Sequence, residues 1–278
     1  MNRRTFLKAM PLAAILGAKA LSLARDPAAT PAGPAPDAAR GNAASQPASA
    51  PATQRGTTLP STAGLEPIVL PKPQKDGGKS VLAALWERRT IRSIRDEKLP
   101  PQVLSNLLWA AWGVNRPGAA GEPGRRTAAS ASNSQEMDLY VALAEGVYLY
   151  DAAAHRLVPV AAGDLRSRAG RGRGGAGSGA KAPVRLIFVA DMAKYASGRP
   201  QEPGLRDPDV QKSYYYVLCG LIAGNVHLFA ASQNLAAWFH NCDKPGIAKD
   251  LNLRQDQRVL FAQTVGYPTT PASAPAAG

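Results

Sequence analysis

Between residues 80 and 112 apolar positions recur every three or four residues, and after residue 137 they gather into short runs. The first pattern, Val81, Leu82, Leu85 and Trp86 behind Ser80, predicts a capped helix from residue 80 to about residue 89. Pro100 and Pro101 open a second helix over residues 102–112, with Val103, Leu104, Leu107, Leu108 and Ala111 at helical spacing and Gly113 as its stop. Residues 139–143 and 147–150 read as strands around Glu145-Gly146, and residues 157–160 add a short third. Residues 184–190, polar only at Arg185, form the clearest buried strand. A long helix follows over residues 210–232, its apolar face formed by Val217, Leu218, Leu221, Ile222, Val226 and Phe229. Gly220 and Gly224 on that helix leave room for another backbone to approach. A short helix over 247–251 and a strand over 259–265 complete the set, and Gly266-Tyr267-Pro268 ends it. This order predicts an α+β fold, with helices flanking a central mixed sheet.

The flanks have a different character. Residues 1–24 join Arg3-Arg4 and Phe6-Leu7-Lys8 to an Ala/Leu-rich run, which reads as a twin-arginine export signal and implies a periplasmic protein. Residues 25–75, rich in Ala, Pro, Ser and Thr without hydrophobic period, read as a disordered linker, and residues 269–278 as a disordered tail. One domain over residues 76–268 remains, long enough for a real core. The helix over 210–232 is nearly apolar enough to span a bilayer, but Asn225 and His227 interrupt it, so no transmembrane anchor is expected after signal cleavage.

Charge and side-chain chemistry narrow the field. Removing the four cations of residues 1–24 lowers the formal charge from +13 to +9, which suggests anionic partners without choosing among them. Two cysteines are too few for a zinc ribbon; Cys219 reads as a small core residue, with pairing to Cys242 as the alternative. His155, His227 and His240 lack metal-ligand spacing and read as surface or packing residues. The Gly/Arg-rich loop over residues 163–182 lacks the Gly-Lys-Ser/Thr of a P-loop and reads as a flexible basic loop, with no specific nucleic-acid partner.

Three stretches carry candidate chemistry. Arg88-Arg89-Thr90-Ile91-Arg92 sets three guanidinium groups and a hydroxyl just after the first helix, a donor set suited to phosphates and polarised carbonyls. Its plainer reading is a solvated basic helix end. Ser130, Ser132, Asn133 and Gln135 cluster short polar side chains before a strand, downstream of Arg125-Arg126. Such groups can satisfy a heteroaromatic edge or a polyol tail, or simply hydrogen-bond one another. Trp238, Phe239, His240 and Asn241 read as a backbone turn able to lie over a flat ring and present an N–H to it.

In this order the stretches resemble the motifs of the nitroreductase family of FMN-dependent oxidoreductases, and particularly its SagB-like, thiazoline oxidase-type branch. The resemblance spans about residues 79–268 and includes Gly220, Asn225, Leu228 and the closing Gly266-Tyr267-Pro268; Ala129 stands where the family's second motif has proline. It implies a three-layer sandwich, a homodimer with the site at its interface, and FMN as cofactor. Arg88, Arg89 and Thr90 would bind the phosphate and ribityl end, and Arg92 the pyrimidine edge. Ser130, Ser132, Asn133 and Gln135 would arrive from the other subunit, and the backbone at His240 and Asn241 would meet flavin N5. Residues 269–278 contain no Lys or Arg for the family's late phosphate clamp, so that role would pass to Arg88, Arg89 and the Arg125-Arg126 pair. The implied activity is hydride transfer through the flavin by a ping-pong cycle, with no obligatory catalytic side chain and no metal. A flavin-free envelope protein binding an anionic partner through the same basic scaffold is the second reading.

Overall fold

The computed structural model describes residues 61–170, 182–197 and 203–269. The export signal, most of the linker, the tail from residue 270 and residues 171–181 of the Gly/Arg-rich loop lie outside the described residues. In chain order the elements are β1 (Ile68–Val69), α1 (Val81–Glu87), α2 (Pro101–Trp112), β2 (Val114–Arg116), β3 (Arg125–Arg126), β4 (Met137–Ala142), β5 (Gly146–Asp151), β6 (Arg156–Ala162), β7 (Val184–Asp191), α3 (Ala193–Ser197), α4 (Pro208–Ser232), β8 (Ala236–His240), α5 (Lys244–Asp250) and β9 (Gln257–Gly266). The helix starts follow local chemistry. Ser80 accepts from the Ala83 N–H, Asp207 from Asp209 and Asp243 from Gly246, each answering a donor that a helix start leaves open.

Seven strands form one sheet in the order β1-β6-β5-β4-β7-β9-β8. Alternation splits its central strands between two cores. Leu139, Val141, Leu186, Phe188 and Ala190 face the cluster shared with α2 and α4, whereas Tyr140, Ala142, Ile187 and Val189 face the cluster that holds Ile247 of α5. Every residue of β7 is buried, which is why that stretch reads as a nearly continuous apolar run. Each side chain such as Phe188 or Leu186, fully enclosed here, contributes roughly 1.5–3 kcal/mol by leaving water.

The α+β architecture is as expected, and four details differ. Every pairing in the sheet is antiparallel, where a mixed sheet was expected. The connection from β7 through α4 is long enough for a parallel crossover, but β8 docks on the far side of β9. The linker ends earlier than residue 75: Ile68 and Val69 pair with Leu157 and Arg156, and Leu70 is buried. Trp238, Phe239 and His240, expected on a turn, lie instead in a strand with Ala236 and Ala237, because β9 offers an edge for pairing. A small hairpin of β2 and β3 also went unpredicted.

By length and composition α4 is a helix able to cross a membrane. In this fold Tyr215, Leu218, Cys219, Ile222, Ala223, Val226 and Ala230 are buried instead against the sheet and the neighbouring helices. Both cysteines are free and buried, as the core reading of Cys219 required. Burial pushes the Cys219 thiol up to about 12 and that of Cys242 to about 11, so neither is a nucleophile near neutrality.

Candidate functional site

The loop after α1 is tied down at both edges. The Ile91 N–H donates to the Ala237 carbonyl of β8 at 3.2 Å, the Arg95 N–H to Tyr267 at 2.8 Å, and the Thr269 N–H to Ser93 at 3.0 Å. The first arginine motif is thereby brought to β8 and the Gly266-Tyr267-Pro268 stop, although more than a hundred residues of chain separate it from either. Arg88 and Arg89 line a cavity of about 440 Å³, with Ile91, Ala237 and Pro268 contributing to its walls. Lys79 stands at its rim, where Nζ pairs with Glu87 and donates to Asn234 Oδ1 at 2.7 Å. Three cations and one carboxylate therefore border the cavity, an arrangement suited to an anionic group.

Thr90 and Arg92 are exposed and do not line this cavity. Arg92 lies instead over the Trp238 ring, 5.7 Å from its centroid, and Trp238 packs against His240 with ring centroids 4.4 Å apart. The His240 side chain is buried and committed. Its Nδ1–H donates to the Asn241 carbonyl and Nε2 accepts from the Thr264 hydroxyl, both at 2.8 Å. Asn241, just beyond the end of β8, is exposed.

The second motif sits elsewhere. Ser130, Ser132, Asn133 and Gln135 do not line the cavity of their own protomer; they form a tight turn with left-handed φ at Ser132, Asn133 and Gln135. The Gln135 amide donates to Gly124 O at 2.7 Å and Asn133 Oδ1 at 3.1 Å, and accepts from Arg126 Nε at 2.6 Å. Ser130 Oγ accepts from the Gln135 N–H. The plainer reading, a polar loop that bonds itself, accounts for these contacts within one protomer. Arg126 is likewise engaged within the protomer. It donates to Trp112 O, lies over the Trp112 ring, and burial lowers its pKa. A groove of about 320 Å³ between α1, α2 and α4 shares Lys79 with the cavity and is lined also by Thr127 and Asn225.

Sequence reasoning gave Lys79 and Asn234 no role and read His227 as a surface or packing residue, yet all three border the cavity. His227 carried a usable signal, a polar ring in the middle of the most apolar helix. No group of His, Cys, Asp and Glu side chains suited to a metal occurs among the described residues.

A layered antiparallel sheet with an arginine-lined cavity beside β8 defines an α+β protein whose cavity is suited to an anionic group. The nitroreductase family model matches residues 85–267, and the chain belongs to that family. It is similar to a provisionally named nitroreductase of Methanocaldococcus jannaschii, 27% identical over 157 residues that cover 54% of this chain and 73% of the other. Among solved structures it resembles a provisionally named nitroreductase of Ralstonia eutropha, with a TM-score of 0.63 and 32% identity over 76% of this chain and 94% of that one. The Escherichia coli microcin synthetase complex shares the fold at a TM-score of 0.53 and 18% identity, covering 75% and 80% of the two chains. Family membership makes the chain an oxidoreductase, in a family whose cofactor is generally a flavin.

Proposed function

We propose that this protein is an exported, homodimeric FMN-dependent oxidoreductase of the SagB-like branch. The observation that carries this reading is the convergence of Arg88, Arg89, Ala237 and Pro268, three distant segments, on one cation-bordered cavity. The residues present fit the group: the cavity offers permanent cations, and His227 on its wall has a buried Nδ1 without a hydrogen-bond partner among the described residues. Arg88 and Arg89 hold the phosphate, with Thr90 beside them. Arg92 supplies a permanent cation to the pyrimidine edge, where such a charge favours the reduced, anionic form. The Asn241 backbone, at the end of β8, would serve the reacting edge of the flavin. Ser130, Ser132, Asn133 and Gln135 are assigned to the site of the other subunit on the strength of the motif they share with the family. When bound, the flavin supplies hydride transfer at N5 in the two halves of a ping-pong cycle.

The dimer is supported by the outer face of α4, where Val217 is 59% and Leu221 45% exposed. Twin-arginine export rests on Arg3-Arg4 and the run that follows. Because nicotinamide dinucleotides are scarce in the periplasm, the proposed direction is oxidation of a small substrate, with electrons passed to oxygen, a quinone or a carrier.

Protein purified after native export should show the visible absorbance bands of oxidised flavin, bleach on reduction and release FMN on denaturation. Colourless protein that stays colourless with added FMN would sink this reading and favour a flavin-free envelope protein.

A further inference from the structure

His227 is a polar side chain placed where α4 otherwise offers Val226, Ala230 and Ala231. Its ring lines the cavity together with Arg88 and Arg89. Its Nδ1 is shielded from solvent and has no hydrogen-bond partner among the described residues. A buried imidazole nitrogen without a partner is destabilising unless a ligand or a turn of the ring answers it. The charged groups that line the cavity with the ring all come from the α1 side: Lys79, Glu87, Arg88 and Arg89. The lining groups contributed by α4, β8 and the segment at Pro268 are otherwise uncharged.

We infer that His227 is a third donor to a terminal phosphomonoester held by Arg88 and Arg89. The inference deepens the flavin reading and rests on it, since FMN carries such a group and riboflavin does not. Free inorganic phosphate offers the same chemistry, and the experiment separates the two. Burial, and then the neighbouring Arg88 charge, lower the His227 pKa, so the ring by itself is neutral at neutral pH. A bound phosphate dianion reverses that balance, favouring the protonated ring as pH falls toward 6.

The test is a titration of the full chain with FMN and with riboflavin, followed by quenching of flavin fluorescence, at about pH 6 and about pH 8. Wild type is compared with His227→Leu and His227→Gln, the second keeping an N–H donor that cannot titrate. The Leu variant should lose roughly tenfold in FMN affinity, the scale of one charge-assisted hydrogen bond, with riboflavin changed by less than about twofold. The Gln variant should keep most of its FMN affinity at the higher pH. It should lack the gain in FMN-over-riboflavin preference that wild type shows at the lower pH. The phosphate's own titration is common to both proteins and cancels in that comparison. Inorganic phosphate should compete with FMN less effectively in the Leu variant.

Equal weakening of both flavins in the Leu variant makes His227 a packing residue and overturns the inference, as does no change in either. Wild type that binds riboflavin as tightly as FMN also overturns it, while the flavin reading survives. Binding of inorganic phosphate but of neither flavin sinks the flavin reading and keeps His227 as a phosphate donor. Binding of none of the three sinks both. Should the Leu variant fail to fold by circular dichroism, the Gln variant and its pH comparison decide the matter.

Discussion

The Arg92 guanidinium lies 5.7 Å from the centroid of the Trp238 ring, so the first arginine motif and the sheet's outermost strand meet through a cation and an indole face. Arg92 is exposed, and no salt bridge holds it among the described residues. Its position is therefore set by the ring and by the Ile91–Ala237 backbone bond one residue earlier.

Removing the guanidinium should weaken cofactor binding more than removing its platform. Arg92→Ala is expected to raise the dissociation constant for FMN by roughly tenfold, the loss of one charge-assisted interaction. Trp238→Leu, which only frees the side chain, should cost about two- to fivefold, the range of an exposed cation–π contact. Flavin fluorescence titration reads both, and wild-type binding in Arg92→Ala would remove Arg92 from the site.

Gln135 should matter to stability within the protomer before it matters to the cofactor. Its amide accepts from Arg126 Nε and donates to Gly124 O. Gln135→Ala strands a half-buried guanidinium beside Trp112 and is expected to cost about 2–4 kcal/mol in urea unfolding. A loss below about 0.5 kcal/mol, with FMN affinity reduced, would instead give this side chain mainly to a partner's site.

Most of the fold could be read from periodicity, because α2, β4, β7 and β9 each show their buried face plainly in sequence. What could not be read depends on pairing rather than pattern. Ala236 and Ala237 have little strand preference, and β8 exists because β9 offers an edge. Ile68 and Val69 are a two-residue strand at the end of a Pro/Ala-rich stretch, too short to show any period. The same distinction holds at the site. Arg88 and Arg89 announced themselves by density of charge, whereas Lys79 and His227 become relevant only when α1 and α4 pack side by side. The contacts of Arg126 were equally illegible: its bond to Gln135 exists only once the loop folds back on itself.

His155 makes stability depend on pH near neutrality. Its ring joins three segments: the Tyr150 hydroxyl donates to Nδ1 at 2.9 Å, and Nε2 lies 2.7 Å from Ser105 Oγ and 3.1 Å from Pro71 O. Burial lowers its pKa, with the Pro71 carbonyl opposing. The unfolded chain therefore takes up this proton at higher pH than the folded one. Stability should be full above the ordinary histidine value of about 6.5 and should decline as pH falls through it toward the lowered folded value. His155→Gln should flatten that slope in urea unfolding between about pH 7.5 and 5.5. At the upper end it should cost about 1–3 kcal/mol through the lost hydrogen bonds. An unchanged slope would assign the pH dependence to other groups.

The two open glycines of α4 give a prediction whose sign separates protomer from dimer. A Cβ built at Gly220 or Gly224 meets nothing within 4 Å in this chain, so neither glycine serves close packing inside the protomer. Glycine in a helix interior costs about 1 kcal/mol relative to alanine, and an isolated protomer would gain by replacing it. Beside Val217 and Leu221, however, the glycines form a smooth apolar strip on which a second copy's helix can rest. Gly224→Ala should therefore raise the stability of the monomer at low concentration by up to about 1 kcal/mol while weakening self-association. On the proposed dimer, the bulkier Gly224→Leu should shift self-association toward monomer, and FMN affinity should fall in parallel if the Ser130–Gln135 segment serves the other subunit. Sedimentation equilibrium across a concentration series measures both effects. A Gly224→Leu protein that dimerises as wild type does would show that this face of α4 is not the interface.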